Sequence, residues 1–208
     1  MAEKLTGKSL AAFTEVLAAK EPVPGGGGAA AAAGALGAAL CIMVGNYTVG
    51  KKKYAAYEAD VLRIMDEAER LRVELIRLVD ADAEAFTPLS QAYAIPKEDP
   101  KRQQVLEEAT IGAAKAPAAM ARCAARTVDL LEEMLEKGSV MLLSDVGCGA
   151  VLCRAALESA AMNVFINTKT MQDRKLADEL EQEMDQLLSE YTAKAAKIAE
   201  AVSVRIRD

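Results

Sequence analysis

Between Glu21 and Lys51 the chain carries no charged side chain, and this stretch, PVPGGGGAAAAAGALGAALCIMVGNYTVG, limits the fold more than any other part of the sequence. Four consecutive glycines, Gly25 to Gly28, lead into a run of alanine and glycine that predicts a helix. An uncharged segment of roughly 20 apolar residues can cross a bilayer. Here large aliphatic side chains are few, and Asn46, Tyr47 and Thr48 close the stretch with polar groups. A helix buried on all sides within a bundle is the better reading. Small residues recur four apart at Ala30, Gly34 and Ala38, and at Gly37, Cys41 and Gly45. Such smooth ridges let neighbouring helices approach closely, from the same chain or from a second subunit.

The glycines themselves admit two roles. A glycine loop opening a helix presents unpaired backbone N–H groups at the positive end of the helix dipole, where a carboxylate, phosphate or carbonyl oxygen can bind. It can equally make a tight turn and no more. The spacing is neither a P-loop nor a dinucleotide fingerprint, and no strand precedes it.

The rest of the chain reads as helices. Ser9 to Lys20, with Leu10, Phe13 and Leu17 near one face, predicts a short helix before the Pro-Gly turn. From Tyr54 to Phe86 apolar residues recur at three and four, with charges between them. That pattern predicts a long amphipathic helix, continuing past a kink at Pro88 towards Ala94. Its segment LVDADAEAF crowds Asp80, Asp82 and Glu84; Asp80 and Glu84 share a face and Asp82 points elsewhere. After a loop holding Pro96, Lys97 and Pro100, the stretches 101–116 and 118–137 are helical by pattern, separated or kinked at Pro117 and ended by Gly138. Ser144 or Asp145 is placed to cap the next helix, on which Asn163 and Asn167 lie four apart on one face. Buried amides there need a partner, either a ligand or another helix. The segment 173–204 closes the bundle. No strand pattern appears, so the expected fold is all-α: one domain over 1–208, with the Gly/Ala-rich helix buried at its centre.

Composition narrows the function classes. A formal net charge of −6 argues against a nucleic-acid binder that relies on a general basic surface. There is no histidine, so the commonest zinc ligand and the commonest general base are both missing. Any catalysis must use carboxylates, lysines, amides, hydroxyls, thiols or the backbone. Cys41, Cys123, Cys148 and Cys153 contain no CxxC pair and are expected to be reduced and mostly buried. The start MAEKLTGKSL lacks the apolar core of a secretory signal, which suggests a cytoplasmic protein.

Three stretches taken together, PVPGGGGAAAAAGALGAAL with VGNYTVGKKKY, LVDADAEAF with AYAIPK, and SDVGCGA with AAMNVFIN, resemble the cyclodeaminase/cyclohydrolase family of folate enzymes. The likeness covers nearly the whole chain, and the four-glycine form is most similar to the methenyltetrahydrofolate cyclohydrolase branch. It implies an all-helical homodimer with a site at or near the subunit interface, and a tetrahydrofolate derivative, with or without a polyglutamylated tail, as substrate. No tightly bound cofactor, metal, nucleic acid or membrane partner is implied. The expected reaction is hydrolysis of 5,10-methenyltetrahydrofolate to 10-formyltetrahydrofolate. The alternatives are formimidoyltetrahydrofolate cyclodeaminase, which releases ammonia, and a non-catalytic helical dimerisation protein.

On this reading the catalytic candidates are Asp82, Asp145 and Lys97, with Lys52 as a second possible cation. Asn46, Ser144, Asn163 and Asn167 are candidates for orienting water or the pterin, and Gly25, Gly26, Gly27, Gly28, Lys51, Lys52 and Lys53 for holding tail carboxylates. One departure from the family stands out: Ser139 and Met141 occupy positions where many relatives carry asparagine.

Overall fold

The computed structural model describes residues 4–208; the first three residues of the start discussed above lie outside the described residues. Among the described residues all regular structure is helical: α1 (Leu10–Ala18), α2 (Gly26–Asn46), α3 (Glu58–Tyr93), α4 (Arg102–Lys137), α5 (Leu143–Thr168) and α6 (Arg174–Arg207), with short 3-10 turns between some of them. Ser9 starts α1 by accepting the Ala12 N–H, and Asp173 starts α6 by accepting the Leu176 N–H. Helix α1 is shorter than the spacing predicted. It lays Phe13 on the core, but Leu10 is 79% exposed and belongs to no packed face.

Pro88 and Pro117 both lie within continuous helices: α3 runs on past Pro88 as expected, and the two stretches expected to be separated or kinked at Pro117 form the single helix α4. Each costs a backbone hydrogen bond. Burial on both sides outweighs that cost: Leu78 and Val79 precede Pro88 and Leu89 and Ala92 follow it, while Ala113, Ala114 and Ala116 precede Pro117 and Ala118 and Met120 follow. Ser144 and Asp145 do not cap α5 either. The cap position is Leu142, without a side-chain hydrogen bond, and Asp145 sits inside the first turn, where its charge favours the helix dipole.

Contacts along the helices give their directions. Gly28 of α2 meets Val79 of α3 and Gly45 meets Met65, so these two helices are antiparallel. Gly26 meets Asn163 of α5 and Gly37 meets Cys153, so α5 also runs against α2. Ion pairs from Arg122 to Glu183, Lys194 to Asp129 and Arg205 to Glu136 set α4 parallel to α6. The even-numbered helices from α2 onwards therefore run one way, and α3 and α5 the other.

By length and composition α2 and the stretch 140–168 are apolar enough to cross a membrane, yet α2 packs against α3, α4 and α5. Its small-residue ridges are used inside the chain. Gly34 faces Leu75 and Ala156, while a side chain at Gly37 would strike Cys153 and the Gly149 carbonyl. Cys41 and Cys153 are buried and Cys123 is partly buried, in line with the expectation of mostly buried thiols; Cys148 is the exposed exception. Burial, assisted by Glu133, pushes the Cys41 thiol up to about 12, and burial pushes Cys123 up to about 11.

Candidate functional site

Two neighbouring carboxylates of α3 have different fates. Asp80 accepts the backbone N–H of Thr6 at 3.3 Å and its hydroxyl at 2.6 Å, fastening the N-terminal segment to the bundle. Asp82, two residues on, points at the start of α2. Gly25 caps that helix without a side chain, and Asp82 substitutes for the missing cap from across the bundle by accepting the Gly28 N–H. Both Asp82 oxygens lie so close to Gly27 that a Cβ there would overlap them. The glycine run is thus what admits the carboxylate.

Burial raises the pKa of Asp82 above the ordinary carboxylate range, and the Gly28 hydrogen bond offsets part of that rise. A carboxylate in this condition holds protons more strongly than a surface aspartate and is suited to general acid–base work.

A cleft of about 220 Å³ opens beside it, walled by Gly25, Gly26 and Gly27 of the loop and α2, Asp82 and Phe86 of α3, Ala113 and Pro117 of α4, and Asn163, Ile166 and Asn167 of α5. Asn163 donates its amide N–H to the Ser159 carbonyl, and Asn167 donates to the Asn163 carbonyl, both at 2.8 Å. The partner of each amide nitrogen is therefore its own helix, and the two side-chain oxygens are left to accept from whatever enters the cleft. The N–H groups of Gly26 and Gly27, in the first turn of α2, add two further donors.

The structure thus brings together Gly25, Gly26, Gly27, Gly28, Asp82, Asn163 and Asn167. It does not bring the other candidates to this cleft within one chain. Asn46 ends α2, which at 1.5 Å per residue places it about 30 Å from Gly26. Lys51, Lys52 and Lys53 follow Asn46, and Ser144 and Asp145 lie at the matching end of α5, all at the far end of the bundle. There Thr48 accepts the Ser139 N–H at 2.8 Å and Tyr54 accepts the Val140 N–H at 3.0 Å, joining the two loops. Met141 is 82% exposed. Lys97 lines a different hollow on the α3–α4 loop. Among the described residues no three His, Cys, Asp or Glu side chains converge as a metal site.

Several wall residues, among them Phe86, Ala113, Pro117 and Ile166, were not among the sequence candidates. Phe86 follows Asp82 by one helical turn, so the i, i+4 spacing was a usable signal. Pro117 and Ile166 gave none.

A family model described as formiminotransferase-cyclodeaminase matches residues 9–186. The chain belongs to this family. Among its relatives, the methenyltetrahydrofolate cyclohydrolase of Methylorubrum extorquens is 39% identical over 203 residues, 96% of this chain and 98% of that one. The formimidoyltransferase-cyclodeaminase of Rattus norvegicus is 31% identical over 207 residues, and this chain spans 38% of its length. The crystal structure of the formiminotetrahydrofolate cyclodeaminase of Thermotoga maritima superimposes with a TM-score of 0.83 at 31% identity, covering 94% of this chain and 98% of that one. That family member shares the all-helical architecture described above.

Proposed function

We propose that this family member is a methenyltetrahydrofolate cyclohydrolase, converting 5,10-methenyltetrahydrofolate and water to 10-formyltetrahydrofolate. The observation that carries the reading is the desolvated Asp82 carboxylate, set against the open first turn of α2 in a cleft with two amide oxygens. The higher identity to the Methylorubrum cyclohydrolase, matched along nearly its whole length, favours this reaction over ammonia release.

The chemistry follows from the substrate. Its N5–C–N10 bridge is a cationic amidinium, and water must add at the carbon. Asp82 takes a proton from that water as the C–O bond forms, giving a neutral tetrahedral carbon. The same carboxyl then returns the proton to N5 as the C–N5 bond breaks and the hydroxyl loses its proton, leaving the formyl group on N10 and one proton released. The approaching cation favours ionised Asp82, so binding prepares the base. The amide oxygens of Asn163 and Asn167 accept from ring N–H groups, and the Gly26 and Gly27 N–H groups donate to a ring carbonyl.

The enzyme acts as a cytoplasmic homodimer without tightly bound cofactor or metal, nucleic acid or membrane. The buried, Gly/Ala-rich α2 is the central helix of each single-domain subunit. Support for the dimer comes from α5, which leaves Val151, Met162 and Ile166 exposed along one face that runs into the cleft. A second copy laid antiparallel on this face carries its own Asn46–Asp145 end towards Asp82. In that pairing Asn46, Lys51, Lys52, Lys53, Ser144 and Asp145 can serve the cleft.

Purified protein is expected to abolish the absorbance of 5,10-methenyltetrahydrofolate far faster than buffer and to release no ammonia from formimino-tetrahydrofolate. Ammonia release without loss of methenyl absorbance assigns the cyclodeaminase reaction instead. Absence of both activities and of folate binding leaves a non-catalytic dimerisation protein.

A further inference from the structure

The cleft at Asp82 is too small for the whole substrate: about 220 Å³, where small-molecule sites span roughly 300–1,000 Å³. A hollow of about 510 Å³ adjoins it. Thr110 in its wall is three residues before Ala113 in the cleft wall on α4, and Thr170 is three residues beyond Asn167. One helical turn of α4 separates the two cavity walls on one side, and the end of α5 with the turn after it on the other.

The hollow has the features of an anion site. Arg102 is fixed by donating Nε–H to the Ile95 carbonyl at 2.8 Å, and its two terminal nitrogens have no partner among the described residues. Lys97 makes no ion pair there either, although it lines the same wall. The acids of the wall keep their charge but pair with neither cation: Glu107 accepts the N–H groups of Gln172 and Asp173 at 2.8 and 2.9 Å, and Asp99 accepts that of Lys101 at 2.8 Å. Glu98 is exposed on the rim.

Thr110 supplies an independent pointer. It is only 3% exposed and lines the hollow, yet its hydroxyl makes no hydrogen bond with the protein. Since no fully buried side-chain oxygen or nitrogen among the described residues lacks a partner, that hydroxyl is open to the hollow.

We infer that this hollow takes the glutamate tail of the folate, with Arg102 and Lys97 on its carboxylates and Thr110 donating to the tail. The pterin and one-carbon bridge occupy the neighbouring cleft. The inference rests on the folate reading above and extends it by moving the tail away from Lys51, Lys52 and Lys53. Arg102 presents a planar fork that matches a carboxylate in two hydrogen bonds, whereas Lys97 contributes a point charge.

The test compares 5,10-methenyltetrahydrofolate with 5,10-methenyltetrahydropteroate, which has no glutamate, on wild type and the Arg102→Gln, Lys97→Gln and Thr110→Val variants. Arg102→Gln is expected to raise KM for the glutamate-bearing substrate at least tenfold with kcat nearly constant, and to change kcat/KM for the pteroate less than twofold. Lys97→Gln and Thr110→Val should shift KM in the same selective way by smaller factors. Equal losses on both substrates, or none on either in a folded, active Arg102→Gln protein, overturn the tail site. A wild type inactive on both substrates refutes the cyclohydrolase reading itself, a separate result.

Discussion

Replacing Gly27 by alanine adds one methyl group at the point where α2 admits the Asp82 carboxylate. An added Cβ falls under 3.0 Å from both carboxylate oxygens, whereas ordinary contact begins at 3.4 Å. The methyl is rigid and α2 is packed on three sides, so Asp82 must give way, by roughly 0.5–1 Å. A misplacement of about 1 Å in a reacting group costs about 10²-fold in rate. Overpacking of this kind also destabilises by about 1–3 kcal/mol, which for a chain of this size lowers Tm by about 2–4 °C per kcal/mol. Gly112→Ala is the matched control, because the same methyl there meets nothing within 4 Å. In a helix it should add about 0.5–1 kcal/mol of stability. The assay is kcat/KM from methenyl absorbance alongside thermal unfolding of both variants. If Gly27→Ala keeps kcat/KM within about threefold of wild type, Asp82 does not need the place the glycine gives it, and the reasoning fails.

Asp82→Asn should cut kcat by about 10²–10⁴-fold, the usual contribution of a general base, with the fold retained. Its effect on stability has a defined sign. The folded pKa lies above the unfolded value near 3.9, so the native state binds more protons between the two, and stability from this group falls as pH rises through that window. The Asn variant escapes the penalty, so its Tm relative to wild type should climb across the same interval and then level off; a constant difference from pH 3 to pH 8 contradicts the raised pKa. Thiol titration with an aromatic disulfide should modify Cys148 and Cys123 well before Cys41 and Cys153, which react only on unfolding. Fast labelling of all four in native protein refutes the packing of α2 against α5.

The helices were legible because periodic apolar residues and caps are local signals. Pro117 shows the limit of such signals: the local rule sees a lost hydrogen bond there, not the buried faces that carry a single helix past it. In LVDADAEAF the phase of the helix separates Asp80 from Asp82, but nothing in it says that Asp80 serves Thr6, 74 residues away, and that Asp82 meets a helix start. The motifs named Gly25 to Gly28 and Asp145 together without revealing that the antiparallel α2 and α5 put them at opposite ends of one subunit. Arg102 and Thr110 left no trace in the pattern, since a charge without a counter-ion or a hydroxyl without a partner exists only in three dimensions.

The burial of Asp82 in a chain without histidine makes proton counting unusually direct. No side chain of this protein has an ordinary titration point between pH 5 and 8, and Asp82 is a carboxylate displaced towards that interval. Calorimetric titration of a folate in buffers of differing ionisation heat, carried from neutral pH down into the carboxylate range, should register proton release from Asp82 there, because the bound cation favours its ionised form. The molecule carries its own proton meter at the floor of the cleft.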